Sequence, residues 1–366
     1  MTTINEVIQK LEDWAPLSLQ ESYDNGGLMV GDGHQLVTGV LLTLDCTEEV
    51  VNEAIQNGCN LIVAHHPIIF SGLKKLNGKN YVERTVIQAI KNNIAIYAAH
   101  TSLDNINTGV NRKIGEKLGV SDMRILRAKQ GELLKLTIFT PKEYYETLES
   151  ALFEAGAGKI GNYDECVFVA EGTGSFKPLS GANPHEGKIG ERKKQDELRL
   201  EVLVAAHLKY KVHKAMMNAH PYEELAHEWV RIENLHQDIG SGMIGNLPAA
   251  MTKGEFLKYL KKSMGCQVIK FTHFTKEMIE TVAWCGGSGD FLLEDAIRQG
   301  ADAFISSDFK YHRFFDHNDK IMICDIGHYE TESCVIDLLN GWFTEKFTTF
   351  AIHKTEIVSN PVNYYF

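Results

Sequence analysis

Cys59-Asn60-Leu61-Ile62-Val63-Ala64-His65-His66-Pro67 is a strand-like apolar run that ends in two adjacent imidazoles. In an extended strand neighbouring side chains point to opposite faces. Both rings therefore serve one site only if the chain turns at this point, and Pro67 favours such a break. Neutral imidazole is a common ligand for zinc, iron and similar ions. The plainer alternative places one ring as a strand cap and the other in solvent, so the dipeptide needs company before it means anything.

Two further runs supply it. Ile94-Ala95-Ile96-Tyr97-Ala98-Ala99 leads at once into His100-Thr101-Ser102-Leu103-Asp104, and Ile321-Met322-Ile323-Cys324 leads into Asp325-Ile326-Gly327-His328-Tyr329-Glu330-Thr331-Glu332. Each run delivers a histidine and, four residues later, a carboxylate. Residues four apart on a helical turn share a face. The pair His328 and Glu332 can thus point together at the carboxyl end of a sheet, where open α/β folds place their sites. The competing reading is an ordinary acidic helix start, favoured by the helix dipole, but that reading does not account for three strands ending alike.

The chain also matches itself. Residues 54–63 align with residues 296–305, and each stretch reads as a helix end, a glycine C-cap and a buried strand. In this alignment His65 and His66 fall on Ser307 and Asp308. With one residue of gap, His100 and Asp104 fall on His328 and Glu332. Two copies of one α/β half facing a shared cleft are expected.

Several stretches resemble the Nif-three-like family of dinuclear-metal hexameric proteins, also called GTP cyclohydrolase I type 2 homologues. They are Tyr23-Asp24-Asn25-Gly26-Gly27-Leu28, the His65-His66-Pro67 run, residues 100–105, Gly286-Gly287-Ser288-Gly289, and the stretch from Gly327 to Glu332. The resemblance implies metal ligands at His65, His66, Asp104, His328 and Glu332, with one carboxylate shared by two ions, and it implies a homohexamer. Such an N/O ligand set suits two divalent transition-metal ions, Zn, Fe, Mn or Ni, without choosing among them. Ions bridged by a carboxylate lie roughly 3.5–4 Å apart, the spacing of two-metal hydrolysis. His100 is the candidate for support of the ligands or for proton transfer, and Asp308 and His312 are candidates for the opposite wall.

Composition narrows the classes. A chain of 366 residues, 44% hydrophobic, is long enough for two cores. A formal net charge of −11 argues against a general nucleic-acid binder, whose footprint is basic. No apolar stretch reaches transmembrane length, and the start reads as neither leader nor anchor. Seven cysteines with no C-x-x-C pattern fit reduced thiols. A cytoplasmic protein, with no membrane partner and a small-molecule substrate or ligand, is expected.

Along the chain, Thr3 and Glu6 are spaced as a capping box. Strand, helix and strand signals then alternate to about residue 125, the rhythm of parallel βαβ units. From about residue 126 the pattern becomes β-α-β-β-α-β, the ferredoxin-like plan, with a glycine- and proline-bearing loop over about 171–195. Residues 161–166 and 220–224 resemble the PII- and CutA-like module of longer family members. The expected architecture is a duplicated α/β core with a metal cleft, 1–125 and 236–366, interrupted by a ferredoxin-like α+β insert at 126–235.

Other signals tempt. Residues 240–245 match G-x-G-x-x-G, but a dinucleotide site needs a helix starting there, and Asn246-Leu247-Pro248 breaks the chain; a tight crossing is expected. Residues 72–79 are one residue too long for a Walker A loop, and Asn80 stands where Ser or Thr is required. At Gly286-Gly287-Ser288-Gly289 a strand-to-helix junction offers backbone amides to an anion, making Gly287 and Ser288 candidate substrate contacts. The alternative is a close strand–helix approach that leaves no room for side chains. His220 and Glu223 are either a further ligand site or the clasp of a loop. The functional expectation is a metal-dependent hydrolase of a small phosphorylated or nucleotide substrate. The competing one is a non-enzymatic metal-handling or regulatory protein with a ligand-sensing insert.

Overall fold

A computed structural model describes residues 1–365, and these fall into two compact units, 1–127 with 238–365, and 128–237. In the first unit, three short runs form parallel neighbours: Gly39–Thr43, Leu61–Ala64 and Ala95–Ala98. Every residue of the three is buried. That is why they read as unbroken apolar runs rather than alternating ones: a parallel sheet is covered on both faces. Gly27–Val30 adds antiparallel at one edge and Ala351–Lys354 adds parallel at the other, closing a five-stranded sheet.

The second half repeats this plan. Met278–Trp284, Ala303–Ser306 and Met322–Asp325 are parallel neighbours in the same order, and the short strand Lys270–Phe271 adds antiparallel at the corresponding edge. On the other side the copies diverge, because Gly240–Thr252 pairs antiparallel with Met278–Trp284 and Ser121–Ala128 forms the edge beyond it. Each half opens on the same helix start. Thr3 and Glu6 close a capping box before Ile4–Trp14, and Thr252 and Glu255 close one before Lys253–Met264.

Alternation along the strands explains the layering. Val40, Leu42, Leu61, Val63, Ala95 and Tyr97 share one core cluster with Val282, Trp284, Ala303, Ile305, Met322 and Cys324 of the second sheet. Residues of the helices Ile4–Trp14, Val110–Lys117, Lys253–Met264 and Val335–Lys346 belong to the same cluster. The intervening residues Leu41, Ile62 and Ile96 turn outward against Glu48–Gln56 and Tyr81–Lys91. Two sheets thus pack on a shared layer of helices. Trp284 is fully buried in it, donating from Nε1 to the Asn111 carbonyl at 2.7 Å.

The glycine motif at 240–245 lies within the long strand Gly240–Thr252, which continues past Pro248 with a register shift between Asn246 and Met251. Gly242 and Gly245 lie too close to the Trp284 and Ser121 carbonyls to admit a Cβ, so a crossing and not a nucleotide explains them.

The second unit has the β-α-β-β-α-β order: Leu133–Pro141, Tyr145–Glu154, Val167–Phe176, Lys193–Ala205, Lys209–Ala219 and His227–Arg231. Its strands pair antiparallel throughout, with Leu133–Pro141 between Lys193–Ala205 and His227–Arg231. This is the ferredoxin-like arrangement. One expectation is corrected: much of the loop placed at 171–195 is a ribbon, Glu171 to Phe176 pairing with Leu198 to Lys193. Gly172 and Gly174 concealed it, since glycine is depleted in ordinary strands.

Candidate metal centre

Three chain turns just beyond parallel strands bring the predicted side chains together. The strand Leu61–Ala64 stops before His65, and both rings turn to one side, their centroids 5.1 Å apart. His65 is wholly buried, and its Nδ1 donates to the Ala99 carbonyl at 2.8 Å. In the neutral ring that bond leaves the Nε2 lone pair aimed into the cleft. His65 Nε2 and Asp104 Oδ1 are buried without a hydrogen-bond partner. They lie 3.6 Å apart, and Glu332 Oε1 is 3.9 Å from the same nitrogen.

Glu332 is the common element. Its other oxygen lies 2.8 Å from His66 Nε2 and 2.9 Å from His328 Nε2. Two groups of potential ligand atoms result, His66 with His328 and Glu332, and His65 with Asp104 and Glu332, each within 4.8 Å. A third group joins His100 to His65 and His66. Buried acceptors facing one another without a proton donor between them suit a cation. The mixed N/O donors suit a transition metal.

The short helix His328–Glu332 delivers both of its ligating candidates to one face, as the four-residue spacing requires. Gly327, at φ +99°, makes the turn into it, and a Cβ there would collide with Glu330. It is the extra residue of the internal alignment: Ala64 pairs with Ala98 and Ser306 with Asp325, so Ala99 corresponds to Ile326 and His100 to His328 across Gly327. Asn111 links the halves at this level, its Nδ2 donating to the Asp104 carbonyl and its Oδ1 accepting from Gly286 N.

An outer ring of aspartates orients the imidazoles. His66 Nδ1 lies 2.7 Å from Asp45, His100 Nδ1 2.7 Å from Asp24 and His328 Nδ1 2.6 Å from Asp308. Asp308 was expected on the opposite wall; it instead holds the His328 ring. Asp45 escaped the sequence reading altogether. Its signal was its place two residues beyond the strand Gly39–Thr43, at the same sheet end as His65. Asp24 belongs to the Tyr23–Leu28 motif, which carried no expected role.

Charge follows this geometry. Burial would raise the Glu332 carboxyl, but the His328, His65 and His66 imidazoles that face it hold it well below the usual carboxylate range. Asp104 goes the other way: burial, abetted by Glu332, pushes it up to about 7. Burial opposes charge on His66 and His328 too, yet their carboxylate partners raise them to about 9 and about 10. Asp308 is lowered to about 2, foremost by its bond to His328. Protons thus occupy the His66 and His328 rings, and an ion bound there would have to displace them.

The remaining expectations fare differently. The amides of Gly286, Gly287 and Gly289 already donate to Asn111, Thr331 and Ser306. These three are therefore taken, and the anion role expected of Gly287 is not supported. Gly287, at φ +59°, is a spacer, because a Cβ there would meet Glu332 and His328. Ser288 donates to Asp308 at 2.6 Å. His312 lies in the 3-10 helix Tyr311–His317 with its ring against Tyr311 and Phe315, outside the lining of both cavities that flank the cleft. In the second unit, His220 bonds the Phe139 carbonyl and accepts from Tyr222 N, and Glu223 accepts from Asn183 N. Both hold loops. Six of the seven free cysteines are buried.

A family model described as Duf34/NIF3 (NGG1p interacting factor 3) matches residues 2–361. The chain belongs to this family. Among its relatives, a protein of Staphylococcus epidermidis named GTP cyclohydrolase 1 type 2 homolog is 35% identical over 367 residues, 99% of each chain. One of the same name from Halalkalibacterium halodurans is 40% identical over 324 residues, 88% of this chain and 87% of that one. The solved structure of a Bacillus cereus protein related to NIF3 superposes with a TM-score of 0.87 at 35% identity, covering 100% of this chain and 99% of its own. Among the described residues no helix is long and apolar enough to cross a membrane.

Proposed function

We propose that this NIF3-family chain binds two divalent transition-metal ions and uses them to hydrolyse a small phosphorylated or nucleotide substrate. The observation that carries the reading is the orphaned, buried pair His65 Nε2 and Asp104 Oδ1 beside a carboxylate that also faces His66 and His328. His66, His328 and Glu332 would hold one ion, and His65, Asp104 and Glu332 the other. When bound, such a pair supplies Lewis acidity and a nucleophilic water at neutral pH.

The chain's own groups supply the rest. His100, held on Asp24 through Nδ1, is free to take or give a proton at Nε2. It lines a cavity of about 210 Å³ with Tyr23, Phe70, Asp104, Phe291 and Glu332. A second cavity, of about 440 Å³, opens beside His66 and His328. Its one lining lysine, Lys270, is paired with Asp325 at 2.8 Å. A substrate phosphate would therefore meet the ions and not a basic side chain. The names of the relatives favour a cyclohydrolase-type ring opening.

Turnover of a nucleotide and metabolite panel, GTP included, by Zn-, Fe-, Mn- and Ni-loaded protein tests this reading. His100→Ala should keep its metal and lose roughly 10²–10⁴ in rate; turnover persisting in metal-free Glu332→Ala overturns it. The same reading includes a closed hexamer, in keeping with the point-group symmetry of homo-oligomers, which light scattering checks. A second reading, a metal-handling or regulatory protein with a ligand-sensing insert, draws on a cavity of about 970 Å³ in the unit 128–237, lined by Phe139, Phe176, His185, Glu197 and Tyr222 among others. It gains if the panel yields no turnover while a metabolite binds that unit.

A further inference from the structure

The segment that follows the strand Ala351–Lys354 has no regular secondary structure, yet it is fastened at successive points. Thr355 N donates to the Leu42 carbonyl at 2.9 Å, and Glu356 N donates to Glu53 at 2.7 Å. Ile357 packs on the cluster that holds Leu41 and Ile62. Ser359 Oγ then donates to Asp45 Oδ2 at 2.6 Å. The opposite oxygen of the same carboxylate faces His66 Nδ1 at 2.7 Å, and His66 Nε2 faces Glu332 at 2.8 Å. Beyond Ser359, the residues Asn360, Pro361, Val362 and Tyr364 form part of the lining of the 440 Å³ cavity, with His66 and His328 also lining it.

The three outer aspartates show what this bond does. Each must hold its carboxylate plane still if it is to hold an imidazole, and each is secured by a hydroxyl. Asp24 is bonded by the Thr101 hydroxyl and Thr101 N. Asp308 is bonded by Ser288 and Ser307. Those hydroxyls come from the residue after His100, from the residue just before Asp308 and from the glycine loop. Asp45 is secured by Ser359, 314 positions away. The Asp45 side chain is about a third exposed, at 34%, and without that bond its carboxylate is left with the bond to His66 and none from a hydroxyl.

We propose that Ser359 is a positioning residue of the metal cleft, fixing the His66 ring through Asp45, and that the segment 355–364 is a built part of the site. The proposal rests on the metal-binding reading above. It is separable from it, because that reading fails if the wild-type chain binds no metal, whereas this one fails if wild type binds and the variants bind equally well.

The experiment loads full-length protein with Co²⁺ and with Zn²⁺, and measures affinity by competition with a chromogenic chelator. Outer-partner changes typically cost 10–100-fold in metal affinity, so Ser359→Ala, one bond further out, should weaken one of the two ions about 3–10-fold. It should also shift the cobalt absorption bands, and Ser359→Thr should restore both. A chain ending at Val358, which keeps the Thr355, Glu356 and Ile357 anchors, should behave as Ser359→Ala does. A merely structural serine would lower thermal stability and leave affinity and spectrum alone. Coupling is reciprocal, so metal loading of the wild-type chain should slow hydrogen exchange in the segment 358–362, a readout that needs no variant. Unchanged affinity and spectrum in folded Ser359→Ala, or unchanged exchange on loading, overturns the proposal.

Discussion

Histidine serves two opposite ends in this chain. In the cleft of the duplicated core, His66 and His328 each lie between two carboxylates, and their pKa values rise to about 9 and about 10 despite burial. In the unit 128–237, His207 is half-buried and His220 buried, but neither has a carboxylate partner among its hydrogen bonds. Burial, with His236 adding to it, pushes His207 down to about 4, and burial likewise lowers His220. Burial alone disfavours the charged ring; a carboxylate within hydrogen-bond reach reverses the sign. What makes an imidazole a candidate ligand here is its company and not its depth.

The sharpest way to break this comparison is Glu332→Ala. That carboxylate faces His65, His66 and His328 at once, so its loss should abolish retention of both ions through dialysis, while the fold, judged by circular dichroism, persists. Elemental analysis decides the matter. Full metal content in this variant would contradict the shared-carboxylate assignment. Metal removal is the next effect in size. An ion held at a hundred times its Kd stabilises by about 2.7 kcal/mol, so a chelator should lower the Tm of wild type and leave that of Glu332→Ala unmoved. Calorimetry with and without chelator reads this directly.

The outer aspartates provide a finer cut. Asp308→Asn keeps the shape but removes the charge that orients His328, and should cost about 10–100-fold in metal affinity. Asp24→Asn acts on His100, which is outside the two Glu332 groups. It should therefore lower turnover with much less effect on affinity. Equal affinity losses in the two variants would merge roles that are kept apart here.

The smallest effect lies in the second unit. The folded chain keeps His207 neutral down to about pH 4, while the unfolded chain takes up its proton near 6.5. Between those values the unfolded state binds more protons, so this contribution is complete above about 6.5 and is lost as pH falls toward 4. His207→Gln removes it. Its Tm should drop less than that of wild type on going from about pH 7 to about pH 5. Parallel Tm curves would show that His207 is not the group responsible.

Much of this was legible in the residues. The parallel strands announce themselves because runs such as Leu61–Ala64 and Ala303–Ser306 are apolar at almost every position, and the four-residue spacing of His328 and Glu332 survives into a real helical turn. Gly286-Gly287-Ser288-Gly289 was ambiguous for a physical reason. Glycines open space equally well for an anion and for a neighbouring chain, and only the bonds from their amides to Asn111, Thr331 and Ser306 tell the two apart. His312 packs edge-on against its own neighbour Tyr311 and lines neither cavity beside the cleft, a placement that its local pattern does not reveal.

The sequence by itself determined the strands, the internal repeat and the types of side chain delivered at the strand ends, since these depend on periodicity and near-neighbour spacing. Only the tertiary structure decided the partnerships: Asp45 with His66, Asp308 with His328, Ser359 with Asp45, Glu332 among three imidazoles. Apart from the local pair His328 and Glu332, these contacts join residues 20 to 314 positions apart. A hydrogen bond is settled within a few tenths of an ångström, and no local pattern in a chain carries that information until folding brings its distant segments together.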